Sequence, residues 1–141
     1  MSLARVSLAL RNAVRERADG CCEYCLLSEE RAFFPHEPDH IIAKKHGGDS
    51  TLENVALACF DCNRFKGSDI ASIDPDSGEL VSLFNPRTQE WTEHLALEDG
   101  RIISRTAIGR VTERILRLNL ESRVEVRQIL SRIGRYPANK E

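Results

Sequence analysis

Two cysteine knuckles, Cys22-x-x-Cys25 and Cys59-x-x-Cys62, enclose a stretch that carries Asp39-His40 and Asn54 and runs straight into Asn63. Four thiolates in two tight knuckles suit a tetrahedral Zn²⁺, because each knuckle aims two sulfurs at one point. Four-cysteine ribbons usually separate their knuckles by about 15 to 20 residues. Here the gap is wider and holds the only Asp-His dipeptide of the chain, so chemistry is expected inside it. Hydrolysis of a phosphodiester needs a nucleophilic water, neutralised phosphate charge and a stabilised leaving oxygen, and a histidine with a divalent cation can supply all three. His40 is the candidate base, since a neutral imidazole with a pKa of about 6.5 accepts a proton from water at physiological pH. Asp39 would be a ligand of the divalent cation, and Asn63 would add a carbonyl oxygen to the same hard ion. Asn54 would orient His40 by a hydrogen bond to its ring or to the nearby backbone.

Each of these residues also has an ordinary reading. The cysteines could be buried thiols or disulfides, Asp39-His40 a surface pair, Asn54 a turn residue and Asn63 a helix-start cap. Cys21 does not fit the mirror spacing of the second knuckle and reads as a bystander thiol; His36 and His46 read as ionisable neighbours and His94 as structural.

The elements that must position these groups follow from periodicity and punctuation. Val6, Leu10, Ala13 and Val14 recur at helical spacing and Gly20 offers a stop, which predicts a helix over 4–18. Pro35 and Pro38 interrupt the chain before Asp39-His40-Ile41-Ile42 resumes as a β-like run, placing Asp39 and His40 at the start of a strand. In an extended strand neighbours point to opposite faces, so both act on one phosphate only if the backbone bends or the metal lies at the strand's end. Gly47-Gly48 marks a turn, Ser50 or Thr51 can cap a helical turn with Leu52 and Asn54, and residues 55–58 read as a strand. A short helix is expected over 63–66, ending near Gly67.

Downstream, Asp74-Pro75-Asp76-Ser77-Gly78 is a turn signal inside a connecting loop. Residues 91–97 and 101–104 flank Glu98-Asp99-Gly100 as a hairpin. Thr106 can cap a helix with Ile108, Val111, Ile115 and Leu118 on one stripe, and Asn119 another with Val126, Leu130 and Ile133, making a C-terminal helical pair.

The ordered set Cys22-Glu23-Tyr24-Cys25, Pro38-Asp39-His40-Ile41-Ile42, His46-Gly47-Gly48, Asn54-Val55-Ala56-Leu57-Ala58-Cys59 and Cys62-Asn63-Arg64-Phe65-Lys66-Gly67 resembles the HNH endonucleases, specifically those with a four-cysteine zinc site. The likeness spans about residues 11–70. It implies an α+β chain with a ββα-metal core, in which two strands and a helix present the catalytic groups to one divalent ion and a DNA phosphate. By the same resemblance His40 matches the general base, Asp39 the acidic metal ligand and Asn54 the motif asparagine. Asn63 replaces the last motif histidine, which suits a hard cation, Mg²⁺ or Mn²⁺ with Ni²⁺ as an alternative. The region after about residue 75 resembles an extension seen in bacterial proteins of this kind.

A chain of 141 residues with 41% hydrophobic content supports one core, so a single domain is expected, with the zinc-stabilised part over 1–75 and the hairpin and helices over 76–141. No apolar run approaches the roughly 18 residues that span a bilayer, and the first residues do not read as a secretory leader. The cytosol is the expected compartment, where paired cysteines bind metal more often than they form disulfides. The net charge of −2 hides a division, since residues 101–141 carry +6 and residues 1–100 carry −8. Such a split hints at a polyanion on the basic part, although amphipathic helices also solvate their faces this way. Arg64, Lys66, Arg110, Arg114 and Arg117 are the candidate nucleic-acid contacts. The expected partner is double-stranded DNA, with a homodimer or larger protein partner where both strands are cut. The alternatives are a non-catalytic zinc-containing nucleic-acid-binding module and a protein-interaction adaptor.

Overall fold

The computed structural model describes residues 6–137. The first helix, α1 (Leu8–Arg17), is capped by the Ser7 hydroxyl, which accepts from the Leu10 amide. The expected apolar stripe is present, with Val14 fully buried and Val6 at the entry; residues 4 and 5 of the expected helix lie outside the described residues. Strand β1 (Glu37–His40) pairs antiparallel with β2 (Val55–Ala58), Asp39 opposite Ala56 and His40 opposite Val55. Asp39 and His40 therefore end a strand where a beginning was expected. Pro38 fits inside β1 because this sheet has only two strands, so a missing N–H on the open side breaks no ladder. Helix α2 (Phe60–Lys66) follows β2 directly, starting three residues earlier than the sequence suggested. Its N-cap is Cys59, whose sulfur accepts from the Cys62 amide, so Asn63 sits within the helix and is not its cap.

The expected connecting loop contains a hairpin, β3 (Ala71–Ile73) against β4 (Leu80–Ser82), closed by the Asp74–Gly78 turn. Trp91 opens a short helix, α3 (Trp91–His94), and not a strand; the expected hairpin is the following pair, β5 (Leu95–Glu98) and β6 (Arg101–Ser104). Thr106 caps α4 (Ala107–Ile115) as its sequence position indicates. The last helix is α5 (Glu121–Arg132), and Asn119 does not cap it. The Asn119 amide bonds both backbone groups of Ile102 instead, tying the α4–α5 link to β6.

A two-stranded sheet is marginal alone, and here the pair β1–β2 is held between layers. Val14 and Ala18 pack on Val55 and Leu57 from one side. On the other side Ala56 and Ala58 join a cluster running through the four knuckle cysteines to Phe84, Leu95, Ile102, Val111 and Leu118. Residues from both segments of the chain thus share one core. Among the described residues no helix is long and apolar enough to cross a membrane.

Helix α5 departs most from expectation. Val126 and Ile133 face solvent, while Arg123, Val124 and Arg127 are the buried positions. The physical reason lies in what α5 packs against, the cysteine cluster and a set of backbone carbonyls.

Candidate metal centre and catalytic residues

The sulfurs of Cys22, Cys25, Cys59 and Cys62 all lie within 4.8 Å of one another, and all four residues are buried. A tetrahedron with Zn–S arms of about 2.3 Å has sulfur edges of about 3.8 Å; Cys25 Sγ and Cys59 Sγ are 3.7 Å apart. The donor set and its spacing fit a structural zinc. No disulfide joins them, and Cys21 lies outside the cluster with its thiol toward the Asp19 carbonyl. In each knuckle the first cysteine sulfur accepts the amide of the second, at 3.4 Å in both cases. Burial pushes the Cys22 and Cys62 thiols up, whereas hydrogen bonds from Cys22, Cys59 and Cys62, aided by Arg123, hold Cys25 well below its ordinary value.

Arg123 explains the orientation of α5. One guanidinium nitrogen reaches Cys62 Sγ at 3.1 Å and Cys59 Sγ at 3.7 Å, and the other donates to the carbonyls of Leu116 and Arg117. Four thiolates around Zn²⁺ carry a net charge of about −2, so a buried cation is the appropriate neighbour. Burial works against the charge of Arg123, but Cys62, Cys25 and Cys59 outweigh it and raise its pKa. Arg127 turns inward alongside, donating to the carbonyls of Gly100 and Leu118 at 2.7 Å. The Trp91 indole bonds the Tyr24 carbonyl and the Tyr136 hydroxyl bonds the Cys25 carbonyl, so the C-terminal half clasps the first knuckle as well.

Asp39 and His40 point to different partners, as strand alternation demands. The Asp39 carboxylate is buried; its Oδ2 accepts from the Tyr24 hydroxyl at 3.0 Å and pairs with Lys66 Nζ at 3.2 Å. Burial raises the Asp39 pKa in spite of Lys66 and Tyr24, which pull it down. Lys66 is not the surface cation expected for a phosphate contact: it is 2% exposed, and its ammonium also donates to the carbonyls of His40 and Ile41. Lys66 thereby locks the end of β1 against α2.

The His40 ring turns to the loop after β1, where Nε2 meets Ser50 Oγ at 2.8 Å. Burial, with Lys44 and Lys66 nearby, lowers its pKa and favours the neutral ring. With Nε2 engaged, Nδ1 is the ring nitrogen that no hydrogen bond among the described residues occupies. Asn54 does not touch this ring. Its amide accepts from the Ile42 N–H and donates to the carbonyls of Ile42 and Asp49, closing the loop that delivers Ser50. Gly48 belongs to the same closure: a Cβ there would lie 1.7 Å from the Ile42 oxygen. Asn63 is half-buried on α2, and among the described residues no hydrogen bond engages its side chain.

The remaining candidates separate. Arg64 is exposed, with Asp61 at 3.2 Å, and Arg114 and Arg117 are exposed. Arg110 is no free phosphate ligand, because its guanidinium is forked onto Asp74 and also pairs with Asp76. That contact holds the Asp74 carboxyl well below the usual carboxylate range. His36 is buried with Nε2 on the Leu27 carbonyl, His46 is exposed, and His94 bonds Thr106 from α3. Sequence reasoning missed Tyr24, Ser50, Lys66 as an internal lock, and Arg123. Tyr24 and Lys66 lie inside the motif runs, so their position was visible and their role was not; Arg123 carried no signal at all.

A family model described as HNH endonuclease matches residues 22–69, the segment from the first knuckle to just beyond α2. No curated protein and no solved structure matches the chain.

Proposed function

With residues 22–69 matching the HNH endonuclease family, we propose that this protein is an endonuclease that hydrolyses phosphodiester bonds in DNA, with His40 as general base and one divalent cation. The observation that carries the reading is the His40 ring, held through Nε2 by Ser50 at the end of a strand that packs on α2, the helix that carries Asn63. A general base needs one nitrogen fixed and the other open, and Ser50 supplies the fixing contact.

A hard cation would be held on oxygen donors. The uncommitted Asn63 amide can offer its carbonyl oxygen, and Asp39 can offer Oδ1, since Tyr24 and Lys66 both engage Oδ2. When bound, Mg²⁺, Mn²⁺ or Ni²⁺ would neutralise charge on the phosphate and on the departing oxygen. His40 Nδ1 takes the proton from the attacking water, Asn54 and Gly48 hold the loop bearing Ser50, and Lys66 fixes the two successive carbonyls of His40 and Ile41 where the chain leaves β1. Zinc on the four cysteines is a scaffold for this arrangement, in a ββα-metal core over 1–75 that makes one domain with 76–141. One such site handles one phosphodiester, so a double-strand cut takes a second copy or another protein.

The Asp39–Lys66 pair favours a second reading, a zinc-stabilised nucleic-acid-binding module without turnover, because the ammonium competes with a cation for Asp39. Plasmid nicking across Mg²⁺, Mn²⁺, Ni²⁺ and chelator separates the two. The nuclease reading expects metal-dependent nicking that His40→Ala abolishes in a folded, zinc-loaded protein. Salt-sensitive DNA binding with no nicking under any metal supports the module instead.

A further inference from the structure

A band of aromatic rings and guanidinium groups crosses the surface beside the cysteine cluster and along α2. Phe33 and Phe34 stand edge to face with centroids 5.0 Å apart, and Phe34 lies 4.6 Å from Phe60 on α2. The Arg64 guanidinium lies 5.3 Å from the Phe60 ring and 4.3 Å from Phe65, and the Arg117 guanidinium lies 5.0 Å from Phe65. These rings are not core residues: Phe33 is 93% exposed, Phe34 47% and Phe60 43%. A groove lined by Phe33, Phe34, Phe60, Leu27, Val126 and Arg31 continues from them.

We infer that this band is a stacking platform for unpaired bases of a DNA strand, so that the preferred substrate carries a single-stranded segment beside the scissile phosphate. The inference rests on the reading of DNA as the partner. Each part of the band matches one part of a single strand. Ring faces accept base faces, which every base has and which a duplex hides within its own stack. Guanidinium groups laid against rings keep their N–H edges for phosphate oxygens. Charge agrees, since Arg31, Arg64 and Arg117 are exposed there, and the carboxylate of Asp61 is shared between Arg64 and Arg123. An apolar protein partner would use the phenylalanines but has no use for the interleaved cations. Placement agrees too. Asn63, a residue of the proposed site, shares one side of α2 with Phe60 at the i, i+3 spacing.

The test is fluorescence anisotropy with the zinc-loaded full chain and no other divalent cation. The probes are a short single strand, the matching blunt duplex, and that duplex with an unpaired flap. Single strand and flap should bind about tenfold or more tighter than the blunt duplex. The double substitution Phe33→Ala, Phe34→Ala should remove that preference, weakening single-strand binding by roughly five- to 150-fold for each base that no longer stacks. Phe33 is so exposed that Phe33→Ala alone cannot disturb the fold, and it should show part of the same effect. Removing Arg64 and Arg117 together should flatten the salt dependence of single-strand binding by about 0.7 for each phosphate no longer neutralised. Equal binding of flap and blunt duplex by a wild-type protein that nicks DNA through His40 overturns the platform while leaving the nuclease intact. A flap preference that depends on Phe33 and Phe34 in a protein that cuts no DNA supports the platform and refutes the nuclease. A wild-type dimer that the double substitution dissolves, without change in DNA binding, also overturns it, making the band an interface between copies of this chain.

Discussion

Replacing Arg123 with alanine should loosen zinc and unfold the C-terminal half from the metal centre together. The guanidinium donates to the Leu116 carbonyl at 2.8 Å and to Cys62 Sγ at 3.1 Å, with Arg117 and Cys59 as further acceptors. Leaving the buried Leu116 carbonyl unpaired costs about 1–3 kcal/mol, and removing a hydrogen bond from a charged donor to a thiolate about 1.5–3 kcal/mol. Arginine's own burial is relieved in the variant, which offsets part of this, so a net destabilisation of about 3 kcal/mol is expected. Loss of a partner to a metal ligand typically weakens metal affinity about 10- to 100-fold. Chelator competition should read the second effect and urea unfolding of the zinc-loaded protein the first. Arg123→Lys, which keeps the cation but cannot fork between sulfur and carbonyl, should fall between alanine and wild type. An Arg123→Ala protein with wild-type zinc affinity and an unchanged unfolding midpoint would refute the account of α5 as a helix docked through its charge.

Ser50→Ala should slow DNA cleavage roughly tenfold in kcat, the worth of one hydrogen bond of about 1.4 kcal/mol, with little change in KM; Ser50→Thr should restore it, as single-turnover kinetics can show. Lys66→Met leaves Asp39 buried without its cation and should cost about 3–5 kcal/mol in urea unfolding; adding Asp39→Asn should recover part of that loss, and strict additivity of the two would refute a coupled pair. Gly48→Ala must push the loop off the Ile42 carbonyl and crowd Asn54 Nδ2, 2.7 Å from the new Cβ. Faster hydrogen exchange at the Ile42 amide and slower cleavage, with zinc content unchanged, are the expected readings.

Where function depends on residue type and local order, the chain is plainly legible. The knuckle cysteines, the strand over 55–58 and the Thr106 cap follow from spacing, because ligand geometry, strand propensity and capping are short-range constraints. Legibility fails where a side chain's role depends on what lies opposite. Lys66 looks like one more helix cation until α2 is laid under β1, where it becomes the counter-ion of Asp39. The β3–β4 hairpin was hidden because strands this short carry almost no periodic signal.

Helix α5 marks the boundary most clearly. Its periodic valine and isoleucine predicted an apolar inner face, and a helix packing on an ordinary core would have turned that way. The cysteine cluster and several backbone carbonyls lie there instead, so Arg123 and Arg127 face inward and Val126 faces out. Composition and spacing determine which atoms can hold zinc. Only the folded arrangement decides that the metal centre also orients the C-terminal helix, because the charge that attracts Arg123 exists only once distant cysteines have been brought to one point.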